Sequence, residues 1–222
     1  IIFQKNNNVD MNNEPHILQP ALFCVEYAFA KMLTEELGIE PSVLCGHSIG
    51  EYVAATLSGV FNWKDALRMI VMRGRVTKRL SREGAMLSVR TTPSSKSSKE
   101  LFTSLSICVA ARNAPGYFVL SGAFCVCVCV CVPFIQLTHS LNHSPNNLGT
   151  PENIEKTRQQ LQKENSISTK LLKVNRAFHH KIEMKEASEK MERFMNTTIK
   201  TSKSRIPVMS NVTGSQAGEY EM

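Results

Sequence analysis

The sequence predicts an α/β protein: a parallel-sheet main domain interrupted by a small lobe of order βαββαβ. Three observations carry that expectation. An apolar triplet, Val43-Leu44-Cys45, passes through Gly46-His-Ser-Ile-Gly50 directly into an apolar helical run that Gly59 ends, as a buried strand does when it turns sharply into a helix. From Gly84 to Val174 the periodicity switches in the order strand, helix, strand, strand, helix, strand. A helix and a further strand candidate, Ile206-Pro-Val-Met-Ser210, follow that stretch and return the chain to the first sheet.

Taken in order, residues 1–15 are rich in Asn and read as an irregular remnant. The start at Ile1 rather than Met makes the chain look like a piece of something longer. Pro20 fits the first position of a helix that continues through Leu33, reads as largely buried, and stops at Gly38. The next helix after the one that Gly59 ends opens at Asn62, with Asp65 three residues on in a capping-box relation, and runs to about Leu80. Its apolar stripe, Trp63, Ala66, Leu67 and Ile70, lands next on Arg73. A guanidinium on an inward face needs a reason, because burying it without a partner is costly.

The main domain is expected over residues 16–83 and 175–222, and the lobe over 84–174. In the lobe, Ala85 to Val89, Ser106 to Ala111, Tyr117 to Leu120 and Ile167 to Val174 are strand candidates. Pro93 to Leu105 and Pro151 to Glu164 are its helices, and Asn113-Ala-Pro-Gly its turn. A helix from about Lys181 to Asn196 resumes the main domain.

One stretch departs from this order. Cys125 to Val132 alternates Cys and Val strictly, so all its thiols would face one way, which does not suit tetrahedral metal binding. An alternating TG dinucleotide repeat read in frame encodes Cys-Val repeated. Residues 123–149 therefore read as translated noncoding sequence with no assigned function, and no metal site is expected.

Composition bounds the rest. The chain has 222 residues with 42% hydrophobic content, enough to fill one large core. Its net charge of +7 comes from Lys and Arg scattered along the chain, which suits phosphorylated or carboxylated ligands better than nucleic acid. The longest uncharged apolar stretch, Ala123 to Ile135, is too short to span a bilayer. A soluble, cytoplasmic protein with no nucleic-acid or membrane partner is the expectation. Cys24, Cys45 and Cys108 lie singly in apolar runs, where buried free thiols usually sit.

The chemistry centres on Gly46-His-Ser-Ile-Gly50. A sharp strand-to-helix turn lifts the Ser48 hydroxyl clear of the backbone and aims a helix N-terminus at an anion formed on its substrate. The alternative is a serine that merely caps the helix. A nucleophilic serine needs a base. Among six histidines, His16 lies in the irregular start, His139 and His143 fall in the aberrant stretch, and His47 adjoins Ser48 on the turn. His179, in Ala177-Phe-His-His, is the remaining candidate alongside His180. Asp10 and Asp65 are the only aspartates, and no acid suggests itself as a third triad member. A backbone carbonyl near Ser210-Asn211-Val212 is the alternative orienting group.

At this point the residues resemble a family. Gln19-Pro-Ala-Leu-Phe, Gly46-His-Ser-Ile-Gly-Glu-Tyr-Val-Ala-Ala, Met72-Arg-Gly-Arg, Gly84-Ala-Met-Leu, Asn113-Ala-Pro-Gly, Val119-Leu-Ser-Gly, Ala177-Phe-His and Ile206-Pro-Val-Met-Ser-Asn-Val-Thr-Gly are similar, in this order, to motifs of acyltransferase domains. These are the malonyl-CoA:acyl-carrier-protein transacylase-like domains of type I polyketide synthases and fatty acid synthases. The resemblance covers about residues 16–214 apart from the aberrant stretch. It implies an α/β-hydrolase-like main domain with a ferredoxin-like lobe inserted. It also implies ping-pong transfer, in which Ser48 takes an acyl group from a coenzyme A thioester and passes it to the phosphopantetheine thiol of an acyl carrier protein. No bound cofactor is called for. His179 would be base and acid, and Arg73 would clamp the free carboxylate of the acyl group. Gln19, His47 and Asn113, from the matching motifs, join the substrate-binding set. Ile49 would supply an oxyanion-hole amide. Phe178 is similar to a malonyl-type pattern in which a bulky side chain crowds out an α-methyl group, although Arg176 stands where that pattern has a His and His180 where a small Ser is common. The family's second oxyanion amide belongs to an upstream Gly-Gln-Gly turn that this sequence does not contain.

Neighbouring synthase domains, such as a ketosynthase, are implied partners. Two other functions compete. A serine esterase has no use for a carboxylate clamp at Arg73. A noncatalytic remnant that docks a carrier protein or scaffolds a megasynthase fits the missing turn and the aberrant stretch.

Overall fold

The computed structural model describes residues 14–80, 84–91, 108–122, 151–163, 167–173, 185–211 and 213–217. They divide into two compact units. The first takes the described residues up to Lys78 and from Ser188 onward, and the second takes those from Arg79 to Ala187.

In the first unit, helix α1 spans Pro15–Lys31 and runs on into a π-helical turn at Met32–Glu36. It begins a turn before Pro20, with Pro15 in the first helical position and Pro20 inside. Tertiary contacts account for the earlier start. The first turn lies against Gly74, where an added Cβ would come within 2.6 Å of the His16 Cα and 2.7 Å of the Pro15 carbonyl oxygen. Lys78 also donates to Glu14 Oε2 at 2.5 Å, just ahead of the helix. The first turn thus packs where only a glycine at position 74 leaves room.

The expectation that α1 is largely buried is corrected. Pro15, Gln19 and Phe23 are buried, one face at four-residue spacing. Leu22, Val25, Phe29 and Met32, on another face, are 41–57% exposed. Cys24 and Cys45 are exposed as well, not buried. The exposure of Cys24 follows from burial of one α1 face alone among the described residues, and that of Cys45 from its place on a two-residue strand that is not buried.

Strand β1 (Leu44–Cys45) leads through the glycine-flanked turn into helix α2 (Ile49–Leu57). Ile49, Tyr52, Val53, Ala54, Ala55 and Thr56 are all buried, so α2 is a core helix. Helix α3 (Trp63–Leu80) opens on the expected cap. The Asp65 amide donates to Asn62 Oδ1 at 3.0 Å, and Asn62 Nδ2 donates back to Asp65 Oδ2 at 2.6 Å. Its inward stripe is Ala66, Met69, Ile70, Arg73, Gly74 and Thr77. Trp63 differs from expectation: it faces out, with Lys64 Nζ 5.7 Å from its ring centre.

After the second unit, helix α5 (Lys185–Thr198) leads to strand β6 (Val208–Met209). β6 pairs parallel with β1, Leu44 opposite Val208 and Cys45 opposite Met209.

The second unit is a four-stranded antiparallel sheet of β2 (Ala85–Thr91), β3 (Cys108–Ala114), β4 (Tyr117–Gly122) and β5 (Ile167–Leu171), in the order β3-β4-β2-β5. Helix α4 (Pro151–Gln162) precedes β5. Ala85, Leu87, Val89, Phe118 and Leu120 line one sheet face and pack with Ile154 and Leu161 of α4. The tight β3–β4 connection uses Gly116 at φ +73°, where an added Cβ would meet the Thr91 carbonyl oxygen at 2.4 Å. The expected helix at 93–105 and the aberrant stretch at 123–149 lie outside the described residues.

No helix among the described residues is long and apolar enough to cross a membrane.

Candidate active site

Of the two expectations for Ser48, nucleophile or cap, the structure bears on the cap. Ser48 occupies the N-cap position of α2, yet its side chain makes no capping hydrogen bond. Its backbone sits at φ +56°, ψ −106°, the one positive φ at a non-glycine residue among those described. Such a conformation costs roughly 1–3 kcal/mol and persists only where surrounding structure enforces it. Part of that enforcement is steric. The chain folds back so tightly that a Cβ on Gly46 would lie 2.0 Å from the Gly50 carbonyl oxygen. The Gly50 amide donates to the His47 carbonyl at 3.0 Å, closing the turn.

What the hydroxyl does instead is accept a hydrogen bond from Arg73 Nη2 at 3.1 Å. Arg73 is 6% exposed, on the inward stripe of α3. Among the described residues no carboxylate lies within ion-pair distance of it. The guanidinium therefore points at the serine and is not absorbed by a structural ion pair there.

Two further residues complete the arrangement, and sequence reasoning did not assign either side chain a role. Asn211, just beyond β6, donates from its amide to the Gly46 carbonyl oxygen and, at 3.0 Å, to Glu51 Oε1. Glu51 occupies the third position of α2, from which a glutamate often reaches back to the cap residue. Here it turns to the end of the neighbouring strand. Its place within the quoted Gly46–Tyr52 motif was the available signal. Asn211 had been noted for its backbone alone.

Burial pushes the Glu51 carboxyl above its ordinary value of 4.5, opposed by the Asn211 side-chain hydrogen bond, the Arg73 charge and an Asn211 backbone hydrogen bond, which all pull it down. A raised value in the folded state means that folding tightens proton binding. The stabilising contribution of Glu51 is then fully present below 4.5 and is lost as pH rises through the raised value. Melting curves of Glu51→Gln against the unmutated chain should show the variant gaining relative stability as pH climbs through that window. A pH-independent difference would contradict the buried carboxylate.

The other predicted residues are placed as follows. Ile49 opens α2 and is buried, while His47 is exposed on the turn. Gln19 is buried on α1, and its Oε1 finds no hydrogen-bond donor among the described residues. Asn113 lies on β3 of the second unit, exposed. There, hydrogen bonds from Ser88 first, then from Arg90 and Asn113, hold the Tyr117 phenol below its usual value. Phe178, His179 and His180 lie outside the described residues. The described residues contain no group of three His, Cys, Asp or Glu side chains suited to a metal ion.

Comparison with known proteins follows these contours. A sequence profile described as "Acyl transferase domain" matches residues 5–124. The spectinabilin polyketide synthase system protein NorB of Streptomyces orinoci is 39% identical over 105 residues, 47% of this chain and 5% of the relative. Among solved structures, the acyltransferase domain from the second module of the salinomycin polyketide synthase aligns with a TM-score of 0.71 and 29% identity. The alignment covers 98% of this chain and 44% of that one. The malonyl CoA-acyl carrier protein transacylase of Burkholderia pseudomallei aligns with a TM-score of 0.72 at 21% identity, over 96% of this chain and 64% of that one. The last likeness is one of fold. The chain thus spans a small part of the synthase and less than half of the salinomycin domain.

Proposed function

The chain belongs to the acyl transferase domain family, and from that premise we propose that it moves a malonyl group from a coenzyme A thioester, through an ester on Ser48, to the phosphopantetheine thiol of an acyl carrier protein. One observation carries the dicarboxylic choice: the buried Arg73 guanidinium beside the Ser48 hydroxyl, 3.1 Å away. A fixed cation this close to a nucleophile suits an acyl group with a second, anionic end. Guanidinium binds carboxylate through two parallel hydrogen bonds. An esterase acting on neutral acyl chains gains nothing from it.

In the first half-reaction the Ser48 oxygen attacks the thioester carbonyl. His179 takes the hydroxyl proton, the carbon–sulfur bond breaks, and the proton passes to the departing coenzyme A sulfur. The Ile49 amide, at the start of α2, faces the developing oxyanion with the helix dipole behind it. In the second half a phosphopantetheine thiol attacks the Ser48 ester, its proton goes to His179, and the serine oxygen recovers one. Phe178 narrows the site against an α-methyl group, so malonyl is favoured over methylmalonyl. Gln19, His47 and Asn113 contribute to substrate binding. A synthase with neighbouring domains such as a ketosynthase is the expected setting.

Incubation of the full chain with malonyl-, methylmalonyl- and acetyl-coenzyme A, read by peptide mass spectrometry, tests this. A malonyl ester on Ser48, absent from Ser48→Ala, is expected. Absence of any acyl group from Ser48 would refute the proposal.

A further inference from the structure

The Ser48 turn is held in a strained backbone conformation, and the means of holding it are unevenly distributed. On the near side are local contacts: the Gly50 amide on the His47 carbonyl at 3.0 Å and the Glu51 amide on the Ser48 carbonyl at 3.3 Å. On the far side, the contact to the Gly46 carbonyl comes from Asn211, 165 residues away in sequence. Register explains how it arrives. Cys45 faces Met209 across the parallel β1–β6 pair, so Gly46 and Asn211 both lie just past the carboxyl ends of adjacent strands.

The Asn211 Nδ2 donates to the Gly46 carbonyl and, at 3.0 Å, to Glu51 Oε1, and an amide nitrogen has the two N–H groups that this needs. Glu51 fixes which way the amide faces, because a carboxylate accepts and does not donate. With the amide reversed, its carbonyl would confront both the carboxylate and the Gly46 oxygen.

We propose that Glu51 and Asn211 form a clamp that positions Ser48, with Asn211 pinning the Gly46 carbonyl at the base of the turn and Glu51 orienting the amide that does so. This rests on Ser48 being the nucleophile. Both are positioning residues: their effect reaches the reacting atoms through the backbone of the turn.

A fluorophosphonate reagent, which phosphonylates a reactive serine with loss of fluoride, tests the clamp on the full chain without depending on which acyl group or carrier is natural. The rate constant of Ser48 phosphonylation and the concentration giving half-maximal rate are measured separately, with labelling normalised to the folded fraction from circular dichroism. Asn211→Asp keeps the side-chain shape but replaces the donor with an acceptor, and Glu51→Ala removes the orienting group. Each should lower the rate constant about ten- to a hundred-fold, the scale set by sub-ångström to ångström misplacement of a reacting group, and leave the half-maximal concentration unchanged. Glu51→Gln, whose carbonyl oxygen still accepts from Asn211, should stay close to the unmutated rate. Should Asn211→Asp fail to fold, the Glu51→Ala and Glu51→Gln pair decides alone. Unchanged rate constants in Asn211→Asp or Glu51→Ala, or equal losses in Glu51→Ala and Glu51→Gln, would overturn the clamp while leaving Ser48 as nucleophile. No phosphonylation of Ser48 in the unmutated chain would overturn the nucleophile and the clamp together.

Discussion

Gly46→Ala should disrupt the turn that carries Ser48 and leave no measurable Ser48 acylation, whereas Gly50→Ala should be tolerated. The two glycines look equivalent in the G-x-S-x-G pattern and are not equivalent in space. A Cβ on Gly46 would sit 2.0 Å from the Gly50 carbonyl oxygen, 2.1 Å from its carbon and 2.6 Å from the Glu51 nitrogen. All three are backbone atoms of the first turn of α2, so no side chain can swing aside. Overpacking usually costs ~1–3 kcal/mol, and an obstruction made of backbone belongs at or above the top of that range. For a chain of this size that corresponds to a fall in melting temperature of roughly 6–12 °C. A Cβ on Gly50 meets nothing nearer than Glu26 Oε2 at 3.7 Å, an ordinary contact. Replacing a helical glycine by alanine gains roughly 0.5–1 kcal/mol where space allows. Thermal melts of the two variants, with Ser48 adduct formation read alongside, give the comparison. Similar behaviour of the two would contradict the steric account of the turn.

Arg73→Ala should abolish the preference for malonyl- over acetyl-coenzyme A. A hydrogen bond to a charged group contributes ~1.5–3 kcal/mol, so loss of a carboxylate contact should cut kcat/KM for malonyl by at least about tenfold to a hundredfold. Acetyl transfer, which offers the guanidinium nothing to bind, should change little or improve. Arg73→Lys should recover only part of the difference, since an ammonium cannot reproduce a two-point contact with a carboxylate. Competition between the two thioesters, read as the ratio of Ser48 adducts, is the direct measurement. An unchanged ratio in Arg73→Ala would remove the carboxylate clamp from the proposal and leave a structural arginine.

Much of this arrangement was legible where the signal is local. The Asn62–Asp65 cap depends on a three-residue spacing, and both of its hydrogen bonds are present. The strands of the second unit announced themselves by alternation, and their pairings place Leu87 opposite Leu120 and Val89 opposite Phe118 on one buried face. Arg73 was suspect because it continued an apolar stripe, and it is buried against the serine that had been singled out on other grounds. The errors lie where distant residues decide. The earlier start of α1 depends on Gly74, a glycine far along the chain whose missing side chain admits the first turn. Trp63 has the hydrophobicity of a core residue but sits at the helix start, where it can lie along the surface. The exposure of Leu22, Val25 and Phe29 is invisible to periodicity, which reports an apolar face without reporting what covers it. Asn211 carries no pattern at all. An asparagine after a short strand is usually a turn residue, and its pairing with Glu51 depends on a strand register that no local window contains.

The parallel pairing of β1 with β6 also bears on the order of events when the protein is made. Leu44 waits for Val208, and Gly46 for Asn211 at a separation of 165 residues. At typical elongation rates of 5–20 residues per second, that gap is on the order of ten to thirty seconds of synthesis. Through this interval the segment carrying the serine has left the ribosome without the strand that pairs with it, and closing so long a loop is slow as well as entropically costly. The turn that carries Ser48 is thus made well before the strand and the asparagine that hold it. A nascent chain spends that time with the Ser48 turn lacking its contact from Asn211, and the strained backbone there gains that support only when β6 has formed.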